Sequence, residues 1–185
     1  MKAIVRTLLV VSLLAFAMSA MAQSNELSIT AGGDFPRNNT YDSGTSLAVG
    51  ATFAHRIVHL PLAGVYWELP LVVAPKSVLR APSQTNYSSL FFTPSLKLKL
   101  APELPVSPYF VGGVGFARFK EDSTNNSHTT NVFSYGAGVD FKFFPYLSWR
   151  FEGRDYYTGS PSLTAIGDTG RQHNIVAQTG VVFRF

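Results

Sequence analysis

The sequence predicts an all-β fold, an eight-stranded antiparallel up-and-down β-barrel that crosses a membrane. Three observations lead there. Only 14% of the 185 residues are charged while 46% are hydrophobic, 15 of them Phe; soluble domains carry about 25% charge. Beyond the first 22 residues no apolar run is long enough to span a bilayer as a helix, which takes about 20 residues. Apolar and polar residues instead alternate with period two through segment after segment, the pattern of strands with two unlike faces. Such a chain crosses a bilayer only as a closed barrel, where every backbone group finds a partner.

The leader comes first. Lys2 and Arg6 precede an apolar stretch from Thr7 to Met18, and Ala20-Met21-Ala22 forms a small-residue cleavage signal. Residues 1–22 therefore read as a secretory signal peptide and 23–185 as the barrel. Removing Lys2 and Arg6 lowers the formal charge from +4 to +2. The remaining basic residues are scattered, so the pI of about 9.4 does not imply nucleic acid. A mean hydropathy of +0.13 argues against disorder. The absence of Cys excludes a disulfide framework, thiolate zinc and a cysteine nucleophile.

The strands follow in order. Leu27, Ile29 and Ala31 oppose Ser28, Thr30 and Gly32; Leu47, Val49, Ala51 and Phe53 oppose Ser46, Ala48, Gly50 and Thr52. Val65, Trp67, Leu69, Leu71 and Val73 oppose Tyr66, Glu68 and Pro70. Leu90, Phe92, Leu96, Leu98 and Leu100 oppose Thr93, Ser95, Lys97 and Lys99. Tyr109 to Phe119 is strand-like with ambiguous faces. Phe133 to Phe143, Leu147 to Arg154 and Asn174 to Phe185 then alternate cleanly. Pro70 and Pro94 each remove a ladder donor, so bulges or different strand limits are expected there.

Periodicity alone does not separate a soluble sandwich from an inverted membrane barrel. Connections do. Long polar segments at Phe35–Thr45, Pro75–Tyr87, Glu121–Thr130 and Thr158–Gln172 alternate with shorter ones at His55–Ala63, Ala101–Pro108 and Phe144–Tyr146. Outer-membrane barrels have this alternation of long outer loops and short periplasmic turns. Aromatic residues gather at segment ends (Trp67, Tyr87, Tyr109, Phe144, Tyr146, Trp149, Tyr156 and Tyr157), as interfacial girdles require.

The last strand ends Val181-Val182-Phe183-Arg184-Phe185, and Pro108 to Phe116 and Leu147 to Tyr157 are further strands of a familiar kind. In these features the chain resembles the small OmpA/OmpX-like bacterial outer-membrane β-barrel domain proteins over its mature length. The resemblance implies an outer-membrane address, outer-membrane lipids as surroundings, and Phe183 and Phe185 as the signal read by the barrel assembly machinery. It does not imply the peptidoglycan-binding domain that OmpA also carries.

Candidate sites are few. Gly112-Gly113-Val114-Gly115 lacks the following helix and acidic residue of a dinucleotide loop. His55 and His59 have no nearby carboxylate, so neither a metal nor any other cofactor is expected. Ser160, Ser162, Asp168 and His173, or Asp122, Ser123 and His128, supply residue types for nucleophilic catalysis without a recognisable signature. No catalytic site is assigned. The inward faces carry a charge network: Glu68, Asp140 and Glu152 against Lys97, Lys99, Lys142, Arg150, Arg154 and Arg184. Eight strands leave an interior that side chains fill, so the network reads as a salt-bridged plug. The expected role is a surface-interaction scaffold presenting four long loops to an extracellular ligand. A narrow channel for small solutes and a lipid A-modifying enzyme are the alternatives.

Overall fold

A computed structural model describes residues 24–37, 44–79, 85–121, 127–159 and 171–185. The leader, residues 1–22, lies outside them, as do Ser160, Ser162, Asp168, Asp122 and Ser123. The described residues form nine strands and no helix: β1 (Asn25–Arg37), β2 (Ser46–Leu60), β3 (Ala63–Leu79), β4 (Thr85–Phe92), β5 (Ser95–Leu100), β6 (Val106–Glu121), β7 (Ser127–Phe144), β8 (Leu147–Gly159) and β9 (Arg171–Arg184). Both β4 and β5 pair with β3 on one flank and β6 on the other, so they are two halves of one stave. The barrel has eight staves, all neighbours antiparallel, and β1 pairing with both β2 and β9 closes it. Asn25 N donates to Phe185 O at 2.9 Å and Phe185 N to Asn25 O at 3.1 Å, so the last residue seals the seam.

The break between β4 and β5 is where both awkward prolines fall. Glu68 pairs with Ser95 and Leu71 with Phe92, which leaves Leu69-Pro70 facing Thr93-Pro94 across one gap in the ladder. On its other side Pro70 stays in register with Thr52 of β2. One irregularity thus accommodates two missing donors. The facing strand adapts with glycine: a Cβ at Gly113 would overlap Pro94 O and Ser95, and one at Gly115 would overlap Phe92 O. The glycine run of β6 is there for close backbone approach, with Val114 N donating to Pro94 O at 3.2 Å.

Connections at one end are short. Pro61-Leu62, residues 101–105 and Pro145-Tyr146 lie at the same end as Asn25 and Phe185. At the other end the strands run further than the composition of the loops suggests: β1 reaches Arg37, β3 passes Pro75 to Leu79, and β8 reaches Gly159. About 9–11 residues span the hydrocarbon, whereas β7 has 18. Polar strand ends therefore project past the hydrocarbon, and polarity alone does not mark where a ladder stops.

The faces fall as the alternation predicts, and β6 is resolved with odd-numbered residues inward. Exposed apolar residues ring the outside, among them Ile29, Leu47, Leu96, Phe110, Val114, Phe133, Phe151 and Val181. One expectation is corrected. Tyr87, Tyr109 and Tyr156 are buried in the lumen and not part of a girdle, while Phe144, Tyr146 and Trp149 do face outward. Position near a segment end does not fix direction; parity along the strand does.

Candidate functional site: the sealed lumen

The inward residues sort into two layers. Toward the loop end a cluster of apolar side chains packs together alongside buried polar residues such as Asp34, Gln172 and Asn174. Phe91 stacks on Tyr156 with centroids 4.7 Å apart and meets Phe119 edge-on at 6.0 Å, and Tyr87 lies 6.3 Å from Phe119. Ala48, Val72, Ala117, Val132 and Val176 complete this plug, all buried. Parity places these side chains inward, yet an apolar residue on an otherwise polar face reads as noise in a sequence. The two-layer lumen was therefore not legible.

Toward the turn end the filling is ionic. Glu26 of β1 is its centre: it accepts from Lys97 Nζ at 2.9 Å, from Lys99 Nζ, and from Arg150 Nη2 at 3.2 Å, with Arg184 Nε at 3.5 Å. Asp140 takes Lys99 Nζ at 2.6 Å and both Nε and Nη2 of Arg150, at 2.8 and 2.9 Å. A second group joins through Lys97, 3.3 Å from Glu68. Arg154 Nη2 lies 2.6 Å from Glu68 and 3.1 Å from Glu152, and Tyr109 OH donates to Glu152 at 2.7 Å.

Local structure explains the assembly. Asp140 is directly opposite Arg150 on β7 and β8, and Glu26 opposite Arg184 on β1 and β9, so two pairs form between neighbouring strands. Lys97 and Lys99, on a stave not adjacent to β1, reach Glu26 across the lumen. The cationic groups also lie over aromatic faces: the Lys97 ammonium is 5.3 Å from the Tyr66 centroid and the Arg150 guanidinium carbon is 4.9 Å from that of Tyr109, a favourable arrangement for cations removed from water. Gly138 makes room, since a Cβ there would overlap the Tyr109 ring.

The structure brings together Glu68, Lys97, Lys99, Asp140, Arg150, Glu152, Arg154 and Arg184. It separates Lys142, whose ammonium donates to Glu103 O at 3.2 Å beside a turn. Sequence reasoning missed Glu26, Tyr66 and Tyr109 as members. The signal for Glu26 was present: one more period-two step back from Ser28 puts it on the inward face. Among the described residues no group of three side chains able to hold a metal forms, and His55 Nδ1 lies 2.8 Å from Asn25 Oδ1. Ser160, Ser162 and Asp168 lie outside the described residues; His173 Nδ1 lies 2.7 Å from Asp155 Oδ2 on the outer wall.

A closed barrel of eight staves, apolar outside and filled inside, is a small transmembrane β-barrel of the bacterial outer membrane. The chain belongs to the outer membrane protein beta-barrel domain family, matched over residues 8–185. Among solved structures it is similar to Neisserial surface protein A (14% identity, 87% of this chain and 97% of that one covered, TM-score 0.66). It is also similar to the N-terminal β-barrel domain of Pseudomonas aeruginosa OprF (15%, 88% and 98%, 0.52) and to the outer membrane enzyme PagL (14%, 86% and 99%, 0.50). Among curated proteins no sequence match is found.

Proposed function

We propose that the protein is a surface-interaction scaffold, a rigid lipid-embedded barrel whose outer loops make its contacts with an extracellular ligand or a neighbouring cell surface. The observation that carries the reading is the filled lumen. A conduit for solutes has to pass the Phe91–Tyr156–Phe119 stack and then the ion pairs around Glu26 and Asp140. In the network around Glu26, Glu68 and Asp140 the ion pairs join different staves, so opening a path would expose several unpaired charges at once. With the inside committed to stability, recognition falls to loops on a rigid support. Assembly of the barrel by the machinery of the outer membrane, through Phe183 and Phe185, belongs to the same proposal.

The test compares cells displaying the full chain with cells displaying a variant whose segments 38–43, 80–84, 122–126 and 160–170 are replaced by Gly-Ser turns. Heat-modifiable gel migration establishes that both fold. The scaffold reading predicts adherence to epithelial monolayers or to neighbouring cells for the full chain and its loss in the variant. Equal adherence, with ion conductance or an altered lipid A mass in its place, would overturn it.

A further inference from the structure

The loop end of the outer wall carries a feature that a neutral lipid-facing surface does not need. Arg37, Arg118, Lys120 and Arg171 all project outward there and are exposed. Among the described residues the acidic side chain amid them on that wall, Asp155, is engaged by Tyr135 OH and by His173 Nδ1, both at 2.7 Å. Directly below Arg171 lies a groove of about 690 Å³ between β6, β7 and β8, lined by Val114, Asn131, Phe133, Tyr157, Gly159 and Arg171 among others. Gly159, paired with Arg171, adds no side chain of its own at that edge, where the Thr130 side chain fills the space a Cβ would take. Arg171 Nη1 donates to Tyr157 OH at 3.1 Å, and its guanidinium carbon lies 5.4 Å from the Tyr157 centroid. The His173 ring rests 4.7 Å from the same ring, with Arg37 opposite it on β1.

We propose that this groove is a binding site for one phosphorylated lipid of the outer leaflet. An acyl chain lies along Val114, Phe133 and the Tyr157 ring, and the phosphate is bound by Arg171 with His173 and Arg37 beside it. The occupant follows from position and charge. The groove faces lipid where the hydrocarbon gives way to headgroups, its walls join an apolar stretch of Val114, Phe133 and Tyr157 to the polar Thr130, Asn131 and Thr158, and its rim is cationic. The Arg171 fork is steered by Tyr157 and keeps further N–H donors for a phosphate, the geometry in which charge-assisted bonds are strong. A tyrosine ring beneath a guanidinium suits the boundary between tail and headgroup.

The experiment uses the full chain, folded in octyl glucoside, with equilibrium binding measured to bis-phosphorylated lipid A and to the same lipid A dephosphorylated. Wild-type protein is expected to bind the phosphorylated form about tenfold more tightly, the effect of losing one charge-assisted hydrogen bond. Arg171→Ala is expected to remove that preference. Val114→Trp, which fills the groove, is expected to weaken both forms, and Arg56→Ala at the opposite end to change neither. Inorganic phosphate alone should not compete at millimolar concentration. Equal binding of the two lipid forms would overturn the proposal, as would phosphate competing as well as the lipid. So would an effect of Lys120→Ala as large as that of Arg171→Ala, which marks a diffuse basic collar. Heat-modifiable migration of each variant separates loss of the site from loss of the fold.

Discussion

Removing the charge of Glu26 is the perturbation that bears hardest on the lumenal network. Glu26 is 2% exposed and faces Lys97, Lys99, Arg150 and Arg184. Without it Lys97 retains Glu68 at 3.3 Å, but Lys99, Arg150 and Arg184 are left to share Asp140. Breaking a buried pair by deleting one partner costs about 3–5 kcal/mol. Glu26→Gln should lie in that range, because the amide keeps the volume and removes only the charge. Glu152→Ala should cost less, about 1–3 kcal/mol: Arg154 keeps Glu68 at 2.6 Å, and the Tyr109 hydroxyl loses its acceptor. Lys142→Ala, at a half-exposed position beside a turn, should cost under about 1 kcal/mol. The assay is equilibrium urea unfolding in lipid vesicles, followed by tryptophan fluorescence and gel mobility. Glu26→Gln within about 1 kcal/mol of wild type, or Lys142→Ala as costly as Glu26→Gln, would show that Glu26 does not hold the lumenal cations together.

Three other outcomes follow from the same structure. Gly138→Ala should destabilise the barrel by about 1–3 kcal/mol, since the added methyl overlaps the Tyr109 ring in a filled lumen; urea unfolding measures it. Phe185→Ala should lower the amount of folded protein in the outer membrane of cells while changing the unfolding midpoint of purified protein little, because the backbone pair with Asn25 survives. Lipid A from cells expressing the protein should have the mass of lipid A from cells without it, as mass spectrometry would record; a new acylation state that disappears in His173→Ala would favour an enzyme.

The outer surface was the most legible part of the molecule. Along β8, Trp149 and Phe151 against Arg150 and Arg154 fix both faces, because an apolar side chain toward lipid and a charged one inward leave a period-two trace. The lumen was half legible. Asp140 and Arg150 announce themselves as charges on inward positions, and the register then sets them opposite one another. Glu26 was lost because the first strand begins earlier than its apolar residues indicate. Phe91, Phe119 and Tyr156 were lost for a deeper reason: in a narrow barrel the inward face also has a core, so hydrophobicity no longer distinguishes outside from inside. Arg171 above the groove depends on which strands lie side by side, and spacing within one strand carries no such information.

Whether the lumen is closed decides the account, and single-channel recording of the full chain in planar bilayers measures it most directly. The structure predicts a silent membrane with wild-type protein, because the aromatic stack and the Glu26–Asp140 network occupy the interior. Reproducible current steps that change when Arg150 or Lys97 is neutralised would contradict it.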